Sequence, residues 1–377
     1  MAKIIRLSKS VIGEEEKTAV IKVLEKEFLG MGEEVDIFEK QLSEVFKRST
    51  VCVSSGTSAI QLSLEACNIG KGDEVLVPSL TYVATFQAIK ATGATPIPCD
   101  VNEDNLLIDI KDANLKITNK TKAIIPVHYT GGVGNLNGIY EFAQKNKIRV
   151  IEDAAHAFGT IYNSNLIGSI GDIVCFSFDG IKNITSGEGG CIVSNDKKII
   201  QRVQNSRLLG VENDSQSRYK NSRSWDFNVS RQGWRYRMSN VMAAIGIEQL
   251  KKRELFFSKR KLLAIKYDQL FEKVKGISIL KRDYDNVVPH IYVLRINNLV
   301  DRDSLKEDLL KRGIQIGIHY KPNHKLKYFK TIEKLILPVT EKVYSQVISL
   351  PIHPDLDVND IEYVSKTLIS ILPKYLK

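Results

Sequence analysis

The sequence lacks the features that mark a membrane, a secreted or a metal-dependent protein. No apolar run approaches the roughly 20 residues needed to span a bilayer. The first ten residues have no apolar stretch followed by small residues, so we expect no secretory signal and a cytoplasmic protein. The five cysteines are odd in number and scattered, which favours reduced core thiols over a disulfide framework or a zinc site. The six histidines include no His-x-x-x-His pair, and we predict no metal centre.

Two common nucleotide-binding fingerprints are also missing. The loop Gly131-Gly-Val-Gly134-Asn-Leu-Asn-Gly138 lacks the Gly-x-Gly-x-x-Gly spacing of dinucleotide sites. The segment Ser54-Ser-Gly-Thr-Ser58 lacks the Gly-Lys-Ser/Thr ending of a phosphate-binding P-loop. A nicotinamide-dependent sugar oxidoreductase therefore stays an alternative without a motif to support it.

The charge of the chain is positive but dispersed. The formal net charge is +10, and basic residues occur along the whole sequence, as in Lys251-Lys-Arg253 and Lys259-Arg-Lys261. A dispersed excess is typical of a solvated surface, and no nucleic-acid motif accompanies it, so we expect no nucleic-acid partner. The positive field would favour an anionic small substrate.

What the sequence does contain is an alternation of short apolar runs and helical stretches. With 377 residues, 43% apolar and 26% charged, the chain is long enough for two domains of an ordinary globular protein. Strands that are apolar throughout and joined by helices predict an α/β fold with a mostly parallel sheet covered on both faces. From Ser239, a probable N-cap, we predict one long helix to about Val274. We therefore expect a large domain over residues 1–248 and a smaller C-terminal α/β domain over 249–377. The predicted strands are Val51–Val53, Glu74–Val77, Thr95–Cys99, Ala123–Val127, Arg149–Glu152, Ile173–Ser177, Cys191–Ser194 and His290–Ile296.

A lysine follows the end of one predicted buried strand. Lys182 lies after Val174-Cys-Phe-Ser-Phe178 and before the glycine-rich turn Thr185-Ser-Gly-Glu-Gly-Gly190. Open α/β sheets bind ligands at the carboxyl ends of their strands, and a lysine amine becomes a nucleophile there when burial lowers its pKa. A loop lysine on the surface is the alternative.

Two further segments complete a possible site. Asp153 ends the run Arg149-Val-Ile-Glu-Asp153, where it could hold a pyridinium nitrogen or, alternatively, serve as a helix N-cap. Ser54–Ser58 follows a short strand and opens a helix, which gives either a phosphate site or a capped helix without a ligand. An amine, a carboxylate and a phosphate cradle are the parts of a pyridoxal 5'-phosphate site.

In this order the motifs resemble fold type I pyridoxal-phosphate enzymes, and more narrowly the sugar aminotransferases of the DegT/DnrJ/EryC1/StrS family. The resemblance runs nearly from end to end. It is carried by Phe28-Leu-Gly-Met-Gly32, Phe38-Glu-Lys40, Ser54–Ser58, Pro78-Ser-Leu-Thr-Tyr-Val-Ala-Thr85, Glu152-Asp-Ala-Ala-His156, Phe176–Phe178 with Lys182 and Gly187–Gly190, Tyr236-Arg-Met-Ser239, Ala243–Gly246, His319, Tyr320, His324 and Leu350-Pro351.

The resemblance implies a role for each matching residue. Lys182 would bond to the cofactor aldehyde and later shuttle a proton between substrate and cofactor carbons, and Asp153 would hold the ring nitrogen. His156 would contact the phenolic oxygen, and Tyr82 would stack on the ring. The family places an asparagine of the partner subunit where this chain has Arg235, an arginine that could hold a phosphate strongly. Gly56, Thr57, Ser58 and Ser177 match the phosphate cradle; His319, Tyr320 and His324 match positions near the sugar or nucleotide, with a packed loop as the alternative.

The implied enzyme is a homodimer with shared active sites that takes nitrogen from L-glutamate and gives it to a nucleotide-linked ketosugar. Sugar dehydratases of the family carry histidine in place of Lys182, so a chain with the lysine is expected to transfer nitrogen. The segment Lys182–Gly190 resembles members that aminate carbon 4, such as TDP-4-amino-4,6-dideoxyglucose and GDP-perosamine synthases, more than those that aminate carbon 3. Such products feed surface polysaccharide, including the O-antigen of lipopolysaccharide. The alternatives are a carbon-3 aminotransferase and a catalytically idle regulator or binding protein of the same fold.

Overall fold

A seven-stranded sheet organises the first half of the chain. The structure, a computed structural model, describes residues 4–212, 227–330 and 335–377. The strand order is β1-β9-β8-β5-β4-β2-β3; β9 runs antiparallel to both its neighbours, and the other pairs are parallel. The predicted α/β fold with a mostly parallel sheet is confirmed. The strands are β1 (Thr50–Val53), β2 (Glu74–Pro78), β3 (Thr95–Cys99), β4 (Thr121–Ile124), β5 (Arg149–Asp153), β8 (Ile173–Ser177) and β9 (Gly190–Ser194), with a separate hairpin of β6 (Ile161–Tyr162) and β7 (Asn165–Leu166).

Helices cover both faces of this sheet. Alternate strand residues point to opposite sides, so Val174 packs with Phe38 and Phe142 on one face, while Cys175 packs with Ile60 on the other. Strands buried on both sides need apolar residues at every position, which is why the sequence shows continuous apolar runs here. The helices are α1 (Glu14–Glu25), α2 (Glu33–Phe46), α3 (Gly56–Ala66), α4 (Val83–Ala91), α5 (Ile110–Lys116), α6 (Leu136–Asn146) and α7 (Lys197–Ser206).

The predicted long helix from residue 239 to 274 is wrong as a single element. Two helices occupy this stretch, α8 (Asn240–Lys251) and α9 (Arg253–Phe271), and they meet at Lys252, whose φ is −90° and ψ is 0°. The predicted N-cap is confirmed, because the Ser239 side chain accepts a hydrogen bond from the Met242 N–H at 3.3 Å. Apolar spacing continues through the junction, and Lys252 is neither proline nor glycine, so the sequence pattern does not reveal the break.

A three-stranded antiparallel sheet of order β10-β11-β12 organises the C-terminal part. Its own core joins residues such as Tyr267, Leu294 and Leu368, and it also includes Ile5, which pairs with Ile314 in a short parallel bridge. Ile5 thus packs in the C-terminal core, and the division at residue 248 stays a prediction. The elements are β10 (Ile277–Ile279), β11 (Tyr292–Ile296), β12 (Val347–Leu350), α10 (Arg302–Lys311), α11 (Pro338–Gln346) and α12 (Val358–Ile371).

Two sets of observations bear on membranes and redox state. Within the three described ranges, no helix is both long and apolar enough to cross a bilayer. Cys52, Cys99, Cys175 and Cys191 are buried and Cys67 is half-buried, and all five thiols are free. The buried thiols all belong to strands of the large sheet or its immediate packing.

Candidate active site

A cavity of about 430 Å³ opens at the carboxyl edge of the large sheet. Four structural units meet there: the N-terminus of α3, the start of α4 with the segment before it, the ends of β5 and β8 with the turns that follow them, and a loop from the C-terminal part of the chain. Ligand sites of open α/β sheets lie at this edge, and their volumes fall between about 300 and 1,000 Å³. Lys182, Asp153 and Ser177, which are far apart in sequence, all line the cavity.

Lys182 lies in the turn after β8. Its backbone N–H donates to the Asp179 carbonyl at 3.0 Å, and its Nζ lies 3.5 Å from Nε2 of His290. Burial lowers the pKa of Lys182 to about 8 and Arg260 adds to that effect, although the carboxylates of Asp179 and Asp153 oppose it. With a pKa near 8, about a tenth of the amine is deprotonated at pH 7. The turn therefore presents a nucleophilic amine and not a surface lysine.

Asp153 ends β5 and is 6% exposed. Its Oδ2 accepts a hydrogen bond from the Thr85 hydroxyl at 2.8 Å, and its Oδ1 accepts from the Ala155 N–H at 3.2 Å. Burial raises the pKa of Asp153, and the Thr85 hydrogen bond opposes that rise. Turns and not a helix follow β5, so the alternative of a helix N-cap is wrong. The carboxylate instead faces the cavity, where a cationic ring nitrogen would satisfy it.

The start of α3 forms the second wall. Ser55 caps the helix, since its side chain accepts from the Ser58 N–H at 3.0 Å, and the Ser58 hydroxyl donates back to the Ser55 carbonyl at 2.8 Å. Gly56 and Thr57 line the cavity opposite Ser177, whereas the buried Ser58 does not. A Cβ at position 56 would lie 2.8 Å from the Ser177 Cβ, so only glycine allows this close approach. The first N–H groups of a helix have no intrahelical partner and suit a phosphate.

Rings from both parts of the chain surround the cavity mouth. His156 accepts a hydrogen bond at Nδ1 from the Thr130 N–H at 3.4 Å, and its Nε2 lies 3.1 Å from the Tyr320 hydroxyl. Burial, with Lys182 nearby, holds the pKa of His156 well below its usual range, so the ring is neutral. The Tyr82 ring is 57% exposed, and its centre lies 5.5 Å from that of Tyr320. His319 also lines the cavity, with Nδ1 2.7 Å from the Ser349 hydroxyl.

Besides Ser58, two of the predicted site residues do not line this cavity. His324 is buried, with its ring nitrogens 2.7 Å from the Ser79 hydroxyl and 3.3 Å from Glu341, which matches the packed-loop alternative. Arg235 is exposed and pairs with Leu208 in an isolated bridge. Neither side chain contributes to the cavity wall formed by its own chain.

Four residues with direct access to the site have no role in the sequence prediction. Thr85 bonds Asp153, His290 contacts Lys182, and Asp179 and Glu188 line the cavity. Thr85 and Glu188 fall within the motifs that carry the resemblance, so the sequence could indicate that they lie near the site. It could not indicate which residues they contact. His290 lies 108 residues from Lys182, and its sequence surroundings predict only the start of a strand.

The cavity fits the functional groups of pyridoxal phosphate. Lys182 offers an amine to an aldehyde, the buried carboxylate of Asp153 lines the cavity where a cationic ring nitrogen could pair with it, and the α3 N-terminus with Ser177 offers donors to a phosphate. The described residues include no group of three or more His, Cys, Asp or Glu side chains that could hold a metal ion.

Comparison with known proteins gives one consistent result. The sequence profile of the DegT/DnrJ/EryC1/StrS aminotransferase family matches residues 10–369. The uncharacterized protein MJ1066 of Methanocaldococcus jannaschii is 35% identical over 371 residues, which covers 95% of this chain and 96% of that protein. Spr1654 from Streptococcus pneumoniae, described as a sugar aminotransferase, superposes in its PLP form with a TM-score of 0.92 at 28% identity, over 99% of this chain and 100% of that one. Helicobacter pylori PseC, an aminotransferase involved in the biosynthesis of pseudoaminic acid, gives 0.89 at 26% identity, over 99% and 100%.

Proposed function

Because this chain belongs to the DegT/DnrJ/EryC1/StrS family of pyridoxal-phosphate-dependent sugar aminotransferases, we propose that it moves the amino group of L-glutamate to the carbon-4 ketone of a nucleotide-linked 4-keto-6-deoxyhexose. One observation carries the nitrogen-transfer chemistry: Lys182 is present, its pKa is lowered to about 8, and it lines one cavity with Asp153. The nicotinamide-dependent alternative is wrong, since the family uses pyridoxal phosphate.

The choice of carbon 4 rests on the segment after the lysine. Lys182-Asn-Ile-Thr-Ser-Gly-Glu-Gly-Gly190 resembles the carbon-4 members, whereas carbon-3 members often carry aspartate where this chain has Glu188. Glu188 lines the cavity, and burial, with Asp179 nearby, raises its pKa. A longer acidic side chain at this position would contact a sugar hydroxyl at a different depth, which supports a difference in which ketone reaches Lys182.

Each residue of the cavity wall has a task in this reaction. When bound, the cofactor supplies a carbonyl that takes up nitrogen and a ring that accepts electrons from the neighbouring carbon. Asp153 would hold the ring nitrogen, and the α3 N-terminus with Ser177 would hold the phosphate. The Nζ of Lys182 would take a proton from the substrate carbon and transfer it to the cofactor carbon. Neutral His156 would contact the ring oxygen without repelling the amine.

A single cavity serves both substrates in turn. Glutamate would bind first and leave as 2-oxoglutarate, and the ketosugar would then enter the same space, which gives ping-pong kinetics. The net charge of +10 favours both anionic substrates.

We further propose a homodimer that completes each site from the partner subunit. Arg235 is exposed and lies outside the cavity of its own chain, as a residue that serves the partner's site would. The products would feed surface polysaccharide such as O-antigen, and the cytoplasmic location stays a prediction.

The decisive experiment incubates the protein with L-glutamate, pyridoxal phosphate and a panel of TDP-, UDP- and GDP-linked 3-keto and 4-keto sugars, and identifies products by mass spectrometry and NMR. We expect an amine at carbon 4 of a 6-deoxyhexose. An amine at carbon 3 would overturn the regiochemistry and leave the enzyme class intact.

Absorbance distinguishes the proposed enzyme from a catalytically idle protein of the same fold. The wild-type protein with pyridoxal phosphate is expected to show a visible band that borohydride reduction fixes to Lys182, and Lys182→Ala is expected to lose it. Lys182→Arg is the matched control, because it keeps the positive charge but forms no bond with the aldehyde. Absence of a lysine-dependent band in the wild-type protein would disprove the enzyme.

A further inference from the structure

The His290 side chain reaches the cavity lysine from the C-terminal part of the chain. It lies two residues before β11 and is 3% exposed, and its Nε2 is 3.5 Å from the Lys182 Nζ. We propose that His290 is a positioning residue: its Nε2 accepts a hydrogen bond from the Lys182 amine whenever that amine is not bonded to the cofactor. The proposal rests on the aminotransferase chemistry of the family and does not depend on the sugar or on carbon 4.

Toward the charged form of this lysine, the ring can act only as an acceptor. A lysine amine offers hydrogen-bond donors, and an ammonium offers nothing else. Burial, with the positive charges of Lys182 and Arg260 nearby, holds the pKa of His290 well below its usual range, so the imidazole is neutral. With Nε2 as the acceptor, the ring proton must sit on Nδ1.

The Nδ1 atom is buried and has no hydrogen-bond partner among the described residues. Buried polar atoms are paired in the great majority of cases, and an unpaired one lowers stability. An apolar side chain would avoid that cost at this position. The histidine at position 290 therefore lowers the stability of the fold. A hydrogen bond from Lys182 to its Nε2 would explain why the residue is present.

A single guanidinium holds both partners of the contact. Arg260 of α9 is 1% exposed and donates to the His290 carbonyl at 2.9 Å, while its other nitrogen donates to the Ile181 and Lys182 carbonyls at 3.4 and 3.5 Å. The ring itself packs against His156, with ring centres 4.4 Å apart. Arg260 thus holds the backbone of His290 and of Lys182, and the contact with His156 restrains the imidazole ring of His290.

The contact answers a need of the reaction cycle. After nitrogen has been taken from glutamate, the Lys182 amine is free at the end of a flexible four-carbon chain with many rotamers. The charged groups that face it are Asp153, Asp179 and Arg260, and either carboxylate could draw the ammonium away from the reacting carbon. The neutral acceptor of His290, 3.5 Å from Nζ, restrains the amine without cancelling its charge.

A pair of amide substitutions separates the acceptor from the ring. His290→Gln can place an amide oxygen near the position of Nε2, whereas the shorter His290→Asn cannot reach Lys182. His290→Leu removes every polar atom and serves as a third variant if His290→Asn fails to fold. Each variant is first compared with wild type by its urea unfolding midpoint.

The first measurement uses cofactor-free protein. The pH dependence of Lys182 acetylation by acetic anhydride, followed by mass spectrometry, gives the pKa of the amine. Because the lost hydrogen bond favours the charged form, we expect His290→Asn and His290→Leu to lower this pKa by roughly half a unit to one unit. His290→Gln is expected to keep the wild-type value. This arm does not require catalysis, so it remains valid even if no sugar substrate is found.

The second measurement follows the glutamate half reaction in single turnover with protiated and α-deuterated glutamate. We expect His290→Asn to slow it about tenfold with an increased isotope effect and an unchanged glutamate KM, since a misplaced amine slows only proton transfer. His290→Gln is expected to recover most of the rate. Unchanged pKa and rate in the Asn and Leu variants would overturn the proposal, and so would equal loss in Gln and Asn, which would assign the effect to the shape of the ring.

Discussion

Lys182 and Asp153 carry pKa shifts of opposite sign that have one cause. Burial penalises the charged form of each group, so it lowers the pKa of the amine to about 8 and raises the pKa of the carboxyl. Above the raised pKa of Asp153, folding with an ionised carboxylate costs free energy, and the cofactor-free protein loses stability as pH rises through it. A bound cofactor with a protonated ring nitrogen removes that cost, which couples its affinity to the charge of Asp153.

Thr85 sets how far the Asp153 pKa rises. Thr85→Val removes the hydroxyl that donates to the carboxylate at 2.8 Å and raises the pKa further. A hydrogen bond to a charged group contributes about 1.5 kcal/mol, so we expect the acid limb of pyridoxal-phosphate binding to move up by about one pH unit. Absorbance titrations between about pH 5 and 8 measure this limb. Thr85→Ser is the control and should retain the wild-type limb; the same limb in the Val and Ser variants would contradict the argument.

The junction between α8 and α9 is stabilised by charges from another helix. Lys252 Nζ lies 2.8 Å from Glu15 and 2.8 Å from Glu16 at the start of α1, and Glu16 is 1% exposed. Burial alone would raise the pKa of Glu16, but hydrogen bonds from Lys252 and Gln249 outweigh burial and lower it. The junction between α8 and α9 at Lys252 is thus also the point at which ion pairs hold the start of α1.

Lys252→Met removes the cation and leaves the carboxylate of Glu16 buried. We expect a loss of about 2–3 kcal/mol in the free energy of unfolding at pH 7. Because the pKa of Glu16 is depressed in the folded protein, its contribution is present above the unfolded value and is lost as pH falls through the folded one, so the difference shrinks at acid pH.

The control for this variant is Lys251→Met on the preceding residue. Lys251 is 58% exposed and pairs only with Glu248 in the same helix, so its loss is worth about 0.5 kcal/mol or less. Urea unfolding at pH 7 and at acid pH makes the comparison. Equal losses in the two variants would show that the buried pair has no special weight.

Sequence patterns predict the strands of the large sheet better than the junction between α8 and α9. The strands Thr95–Cys99 and Ile173–Ser177 are predicted with the bounds that the structure gives. Ile173–Ser177 is buried at every position, and such a continuous apolar run carries a strong local signal. The break at Lys252 has no such signal, since it depends on carboxylates more than 230 residues away. For the same reason the motifs locate Lys182 and Asp153, whereas the contact with His290 depends on how the two parts of the chain pack.

Arg260 joins those two parts of the chain. It lies on α9, which packs in the C-terminal core, and its guanidinium reaches carbonyls of the turn that holds Lys182 as well as those of His290 and Ile352. Burial lowers the pKa of Arg260 to about 10, so the group stays charged at neutral pH. A buried cation shared by carbonyls of both parts makes their separation costly.

Arg260→Met keeps the bulk of the side chain and removes every donor. We expect a loss of about 3 kcal/mol or more in the free energy of unfolding, because several buried carbonyls lose their partner. Urea unfolding followed by circular dichroism measures the loss, and Lys259→Met, at the half-buried neighbouring residue, should change stability by less than about 0.5 kcal/mol. A loss below about 1 kcal/mol in Arg260→Met would show that water replaces the guanidinium without penalty.

The distribution of the five thiols has a practical consequence. Every cysteine precedes residue 192, so the C-terminal part of the chain contains none. Burial raises the pKa of Cys67 to about 11 and that of Cys99 to about 12, and it raises those of Cys52, Cys175 and Cys191 as well, so little reactive thiolate forms at neutral pH while the surrounding structure stays closed. The rate at which an aromatic disulfide reagent develops colour with the native protein would therefore report the opening of the part of the chain that contains the cysteines. Opening of the C-terminal part would give no colour.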